Sequence, residues 1–580
     1  MRKLSHVGLI LLLVVLVAPA PRAQQPPAAG TMSIDDIVDR IAKSESALTT
    51  RMRTYHPIVE VYIQDFKADS KLGTVPVKDE YFLGQFDGTG EGPRLLPLSP
   101  REGSFRTPSL FKRPFDAQYQ PDGFAATTAP DWQMFNRERY EFTFVRREFL
   151  GEARTLVFDV RPKSADTDGF SGRLWVEDRD FNIVRFNGVS RNVALSSYFQ
   201  KSIPRHFNGI SRNVDGTPAS FQRKSVPFHV DSWRVNVSPG VWLPSYVYCE
   251  ESDPNDSGDK PTAPRQPRIK SQVRLWGYEL KGVETQQELA TIQIDGPIVQ
   301  DTAADAQQLA PVLSQRRWEQ QAEENVLDRL SRAGLLAPAG PVDAVLETVL
   351  NNLEVTNNIT PDRPTHVRIL LTSPLESFTV GHTIVVSRGL IDVLPDEASL
   401  AMVLGYELSH VILGHQLVDT KFAFADRLMI PDPDLLKTLR FRHSAAEEAA
   451  ANVRVVELLK NSPYKDKLAA AGLFLRTIAA NAKLLPNLIQ PRMGDYVVNN
   501  KQSLTTLMQS APELARENLD QVSALPLGAR LIVDPWSDRL ELIRTSAVPL
   551  ASPREKLPLL VTPLMPYIRY AEAPVDISSR

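Results

Sequence analysis

Near residue 300 the hydrophobic pattern of this chain changes period, and that change excludes a single uniform architecture. From about residue 57 to 300 apolar and polar residues alternate, as in Val59-Glu60-Val61-Tyr62-Ile63, Tyr140-Glu141-Phe142-Thr143-Phe144, Leu156-Val157-Phe158-Asp159-Val160 and Gly172-Arg173-Leu174-Trp175-Val176. Similar runs follow at Val226–Val237, Trp242–Tyr248 and Ile269–Tyr278. Period-two alternation of β-branched and aromatic residues predicts antiparallel strands with one solvated face. Asp253–Pro267 reads as a polar, Pro-rich loop inside this region. Beyond residue 300 the spacing turns helical over Ala306–Leu336, Pro341–Leu353, Asp396–Val418, Leu435–Leu459 and Leu468–Leu485, with short strands expected at Val367–Leu371 and Thr383–Ser387. One earlier helix is predicted over Ser33–Met52, with Ile34, Ile37, Ile41 and Leu48 on one face and Asp35 and Asp36 in its first turn. The expected fold class is α+β, an antiparallel β-rich domain followed by a mostly helical one.

At 580 residues the chain has room for two or three domains. A net charge of −3 without a long basic run gives no reason to expect nucleic acid or an anionic membrane surface as a partner. The first residues have the form of a secretory signal. Arg2 and Lys3 precede an apolar run, Val7–Val17, too short for a comfortable membrane span, and Ala18, Ala20 and Ala23 follow. Cleavage is expected after Ala23, because Pro21 follows Ala20; an uncleaved anchor is the alternative. With no second apolar run near 20 residues, the mature protein is expected to be exported, periplasmic or extracellular, and without a membrane span. Cys249 is the lone cysteine, so no internal disulfide is available, and its place at the end of a strand-like run gives it a structural role. The expected division is a signal peptide at 1–23, a linker and helix at 24–56, a β-rich domain at 57–300, a helical connector at 301–324, a second domain at 325–548 and a tail at 549–580.

One motif carries chemistry. Tyr406-Glu407-Leu408-Ser409-His410 differs from the zinc-peptidase pattern H-E-x-x-H at its first residue. That pattern places two imidazoles one helical turn apart on one face, with a glutamate between them as general base. Alone, such a string arises by chance, so its surroundings matter. Phe378–Leu390 contains a strand followed by Arg388-Gly389-Leu390, and the helical run Asp396–Gly405 leads into Tyr406. Glu448-Ala449-Ala450-Ala451-Asn452 and then Val453–Leu459 and Tyr464 follow later.

In these features residues 325–545 resemble metallopeptidase family forty-eight, the zincin family of the CAAX prenyl proteases and a heat-shock membrane protease. The resemblance implies Glu407 as catalytic base, His410 and Glu448 as zinc ligands, and Tyr406 in the place of the missing first histidine. It also implies that Asn452 stands where an aspartate would orient that histidine, and that His415 falls where family members often carry a further histidine. Glu447 would face about 100° away from Glu448 and into solvent. In Val533-Asp534-Pro535-Trp536-Ser537-Asp538-Arg539, Asp534 replaces a family histidine that can donate to the developing oxyanion, and a negative charge there opposes that role. The β-rich part resembles the outer-membrane lipoprotein-sorting fold, through Gly172–Asp178, Phe181–Phe186 and Trp242-Leu243-Pro244. That likeness implies a curved sheet whose concavity either holds an acyl chain or peptide or is filled by core.

A catalytic zinc normally has three protein ligands and a water. His410 and Glu448 supply two, and a phenol of pKa about 10 is a poor third. Zinc is therefore expected to be weakly held or absent, and the chain to be a peptidase-family protein with impaired hydrolysis that binds peptides or proteins in envelope quality control, with Thr383–Ser387 as the expected peptide-binding edge. An active zinc metalloendopeptidase acting on misfolded envelope proteins, and a carrier for acylated proteins or lipids, remain as the alternatives.

Overall fold

The computed structural model describes residues 32–69, 73–87, 93–98, 121–132, 135–150, 153–164, 169–191, 227–252, 269–278, 323–394, 396–415, 440–489 and 493–496, together with 507, 509, 511, 513, 531–533 and 540–542. The expected signal segment, the loop Asp253–Pro267, the boundary near residue 300 and the tail lie outside the described residues. The fold is α+β. Helix α1 (Ile34–Tyr55) precedes strands β1 (Ile58–Asp69), β2 (Gly73–Asp87) and β3 (Arg94–Pro97), a short helix α2 (Pro121–Ala125), and then β4 (Tyr140–Leu150), β5 (Ala153–Pro162), β6 (Phe170–Glu177), β7 (Ile183–Ser190), β8 (Phe228–Ser238), β9 (Val241–Glu251) and β10 (Ile269–Trp276). These form a ten-stranded sheet in the order β3-β2-β1-β10-β9-β8-β7-β6-β5-β4, antiparallel at every pairing. Each strand follows its sequence neighbour except at the β1–β10 junction, where the first hairpin closes against the last strand.

One face of this sheet is filled by the protein itself. Ser33 and Asp36 form a capping box that starts α1, and Val38, Ile41, Glu45, Leu48 and Met52 are its buried stripe. Ile41, Leu48 and Met52 pack with Phe124, Phe135, Val61, Phe158, Leu174, Val230 and Val247 in one core. A glutamate in such a stripe is tolerable only when paired. Glu45 meets the Arg234 guanidinium of β8 in a two-pronged ion pair at 2.6 and 2.8 Å, with both side chains 2% exposed. Of the two expectations for the concavity, the filled core is the one seen on this face. Among the described residues no helix is long and apolar enough to cross a membrane.

The second part contains α3 (Pro341–Thr356), β11 (His366–Leu370), β12 (Glu376–Val380), β13 (Thr383–Ser387), α4 (Arg388–Val393), α5 (Glu397–Ile412), α6 (Ala445–Lys460), α7 (Leu468–Asn481), α8 (Pro486–Ile489), β14 (Asp495–Tyr496), β15 (Leu531–Val533) and β16 (Leu540–Leu542). A four-stranded sheet runs β11-β13-β12-β14, and β15 and β16 pair with each other. Several expectations need correction. Thr383–Ser387 is not an edge: β13 lies inside the sheet, parallel to β11 and antiparallel to β12. The helix through Glu407 stops at Ile412 rather than running to Val418, because Gly414 adopts φ +66° and turns the chain out of the helix. The helix expected from Leu435 begins at Ala445, set by Ser444 and Glu447 in a capping box.

The largest correction concerns one part of the first sheet, around β1, where the wet face expected for it is covered. On β1 the odd residues Val59, Val61 and Ile63 join the α1 core. The even residues Ile58 and Tyr62, with Leu83 and Trp276, join the core of the second part, alongside Leu370, Phe378, Leu390 and Leu404. Glu60, between them, is 1% exposed. Its carboxylate accepts hydrogen bonds from Ser373 N at 2.6 Å, Ser373 Oγ at 2.7 Å, Tyr81 Oη at 2.8 Å and Arg388 Nη2 at 3.4 Å. Asp79 of β2 reaches α8, accepting from the backbone N–H groups of Asn487 at 3.1 Å and Leu488 at 2.9 Å. Burial raises the Asp79 pKa against those bonds. Here on β1 and β2 the polar residues Glu60 and Asp79 bond across an interface, whereas Glu141 and Asp159 on β4 and β5 keep the solvated face that the alternation predicts.

This junction also explains the Arg-Gly-Leu turn. Arg388 is buried over the Trp276 ring, 5.6 Å from its centroid, and burial lowers its pKa to about 10. Gly389 donates to Thr372 O at 3.1 Å, and a Cβ there would lie 1.8 Å from Ser373 O. Gly389→Ala is therefore expected to destabilise the protein by about 3 kcal/mol, since backbone must move to admit one methyl. A urea unfolding midpoint equal to that of the parent would refute this account of the turn.

Candidate functional site

Three motif residues lie on α5. Asp396 caps this helix, its carboxylate accepting from Ser399 N at 2.8 Å. The sequence Leu400–Leu408 is apolar on every side because the helix is buried all round. Gly405 lets α6 come close: a Cβ there would meet Val455 Cγ2 at 3.1 Å. Tyr406 is 6% exposed, and Glu407 and His410 are fully buried.

Glu407 Oε1 accepts from Ser377 Oγ of β12 at 2.6 Å, while Oε2 has no hydrogen-bond partner among the described residues. Burial drives the carboxyl pKa up to about 8, against the opposing effect of the Ser377 bond. A raised pKa favours the protonated form of this carboxyl, and a protonated carboxyl has no negative charge with which to take a proton. His410 is driven the other way. Burial first, then His443 and His415, lower its pKa to about 2, so the imidazole is neutral. Its Nε2 has no hydrogen-bond partner among the described residues, and its Nδ1 shares a 3.0 Å hydrogen bond with Nδ1 of His415. The Tyr406 ring stands edge-on to His410 with centroids 5.0 Å apart.

Helix α6 brings the other candidates. Glu448 is half-buried in its first turn, and Asn452, one turn on, is 7% exposed with no hydrogen-bond partner for Oδ1 among the described residues. Glu447 is half-buried rather than simply solvated: it closes the capping box, with Ser444 N donating to it at 2.9 Å, and the Ser444 bonds and the nearby His443 and His415 lower its pKa. Asp534 lies outside the described residues.

Two further residues belong to this site and went unread in the sequence. Ser377 holds the general-base candidate, but it lies in a strand whose five residues are all buried, so alternation could not mark it. His443 stacks on His410 with centroids 3.9 Å apart and shares a 3.0 Å hydrogen bond with Thr379 Oγ1. The signal for His443 was present: Ser444-Ala445-Ala446-Glu447 is a capping box that places it just ahead of a helix facing the motif.

The family's zinc set does not fit these side chains. In the set that the resemblance implies, Tyr406 stands in place of the first imidazole and Asn452 in place of the supporting acid. Among the described residues no three His, Cys, Asp or Glu side chains are arranged as a metal-binding group. The strand beside α5 is β12, and it too is paired on both sides, with β13 and through Glu376 and Ser377 with β14, while Phe441 stacks on Phe378 at 4.4 Å.

Residues 342–454 match peptidase family M48, a span that runs from α3 into α6 and includes the motif, His443 and Glu448. A solved LolA superfamily protein from Nitrosomonas europaea is similar at 11% identity over 41% of this chain and 90% of that chain, with a TM-score of 0.21. No curated protein matches the chain.

Proposed function

We propose that this chain, with its M48 peptidase segment, is an exported protein that has lost zinc-activated hydrolysis and binds extended polypeptides in envelope quality control. The observation that carries the reading is the buried trio of Tyr406, Glu407 and His410. A phenol occupies the first ligand place, burial raises the pKa of the would-be base to about 8, and the remaining imidazole has no hydrogen-bond partner for Nε2 among the described residues. A carboxylic acid without metal-activated water achieves little hydrolysis. The Asn452 amide in place of an acid agrees with this, because a carboxylate there would have no imidazole to orient. Among the described residues β14 covers β12 through Glu376 and Ser377, a pairing short enough for an incoming strand to replace. Export rests on the leader-like first 23 residues.

The test uses the purified full chain. Casein is expected to stay intact with zinc added, and binding of an extended fluorescent peptide is expected to survive both chelator and Glu407→Gln. Cleavage abolished by chelator and by Glu407→Gln would establish the metalloendopeptidase instead. Lipid that co-purifies stoichiometrically, without peptide binding, would point to the carrier.

A further inference from the structure

On the side of β12 away from β13, the strand that covers it carries no side chain opposite Phe378. β14 pairs antiparallel with β12, Glu376 against Tyr496 and Ser377 against Asp495. One step further along that register, Gly494 faces Phe378. A Cβ at 494 would lie 2.9 Å from Phe378 Cδ1 and 2.3 Å from Ser377 O. The ring over Phe378 comes instead from another segment. Phe441, fully buried, lies parallel to it, with centroids 4.4 Å and planes 4° apart. Phe441 N donates to Met493 O, and Met493 N donates to Glu376 Oε2 at 3.1 Å, so the two segments cover the strand together. We propose that Phe378 is the floor of an aromatic subsite, and that the polypeptides taken by β12 are those that set a phenylalanine or tyrosine opposite it. Such a strand does alone what Gly494 and Phe441 do between them. The inference rests on the reading that β12 takes an incoming strand, and it names what that strand carries.

The geometry of strand pairing supports the assignment. A glycine within a strand marks the close approach of another group, and an aromatic ring laid over it from elsewhere makes good the missing side chain. Side chains directly opposite in an antiparallel pair have Cβ atoms about 4.5–5.5 Å apart, so a ring opposite Phe378 on an incoming strand reaches the place that Phe441 holds. Alternation decides which position of that strand is read. Ser377 and Thr379 lie on the other face of β12, where they are bonded to Glu407 and His443, while Phe378 points away from them.

This preference selects a class of partner. Phenylalanine is among the residues most often fully buried in folded proteins. A strand that offers one, with its backbone unpaired, is a segment of an unfolded chain.

The test uses the full chain in chelator, so that no cleavage intervenes. The probes are two fluorescein-labelled peptides that alternate threonine and valine between terminal lysines and differ only in a central phenylalanine or serine. Fluorescence anisotropy is expected to show the phenylalanine peptide bound roughly 10-fold more tightly, the discrimination that burial of one aromatic ring supports. Phe441→Ala uncovers Phe378 and should tighten the phenylalanine peptide on the order of 10-fold, with a smaller gain for the serine peptide. Because Phe441 is a core residue, Gly494→Ala supplies an independent check that leaves this ring in place. Its methyl forces β14 away from Ser377, so both peptides should bind more tightly and the preference for phenylalanine should persist. Equal affinity for the two peptides, in the parent and in both variants, would overturn the aromatic subsite and leave strand capture standing. Binding of neither peptide by any of the three proteins would remove both readings.

Discussion

Glu60→Ala is expected to destabilise the protein by about 3–5 kcal/mol, the usual consequence of removing one member of a buried, hydrogen-bonded charge pair. The substitution deletes the acceptor for Ser373 N, Ser373 Oγ, Tyr81 Oη and Arg388 at once. It leaves the Arg388 guanidinium, 3% exposed, beside Arg274, whose charge already lowers its pKa. Ser373 N also becomes a buried donor without its acceptor, a further cost of about 1–3 kcal/mol when unrelieved. Because Ile58, Tyr62, Leu83 and Trp276 of the first sheet share a core with the second part, the loss should be felt on both sides. Urea unfolding followed by tryptophan fluorescence and by far-ultraviolet circular dichroism should show both transitions shifting to lower denaturant. If only the transition reporting the ten-stranded sheet moves, the junction does not join the two parts energetically.

The second large effect is one of pH. Glu407 has a folded-state pKa of about 8, raised from the ordinary 4.5. Between those values the folded carboxyl keeps a proton that the unfolded chain gives up, so folding stability falls as pH rises. The contribution is fully present below pH 4.5, is lost progressively toward pH 8, and is level above that. Across a window of this width the total is on the order of 4 kcal/mol. Glu407→Gln removes the titration while preserving the shape and an acceptor for Ser377 Oγ. The variant should match the parent near pH 4.5 and become the more stable protein by pH 9. Parallel stability profiles for the two would show that Glu407 is ionised in the folded protein at neutral pH, and the loss of a working general base could no longer be argued from its burial.

Much of the architecture was legible because periodicity reports how many faces an element buries. The change from period two to helical spacing anticipated an antiparallel sheet followed by helices, and Thr383–Ser387 is a strand with the expected limits. The motif helix and its ligand-position departures were equally plain, since a phenol for an imidazole at 406 and an amide for an acid at 452 are statements about residue identity. The misses share a different character. Glu45 looked like part of an ordinary amphipathic helix, and only its partner Arg234, 189 residues later, shows why a charge can sit in the buried stripe. The capping box at Ser444 was readable locally and would have corrected the start of α6 and drawn notice to His443.

What the sequence alone determined was the class of each element and the identity of the groups at the motif, because both depend on local spacing and side-chain chemistry. The tertiary structure decided which surface meets which. It put β13 inside its sheet, turned the polar side of β1 into a second buried face, and set Ser377 and His443 against the motif residues. Those outcomes depend on contacts between residues far apart in the chain, and alternation marks a polar face without saying whether water or another part of the protein will cover it.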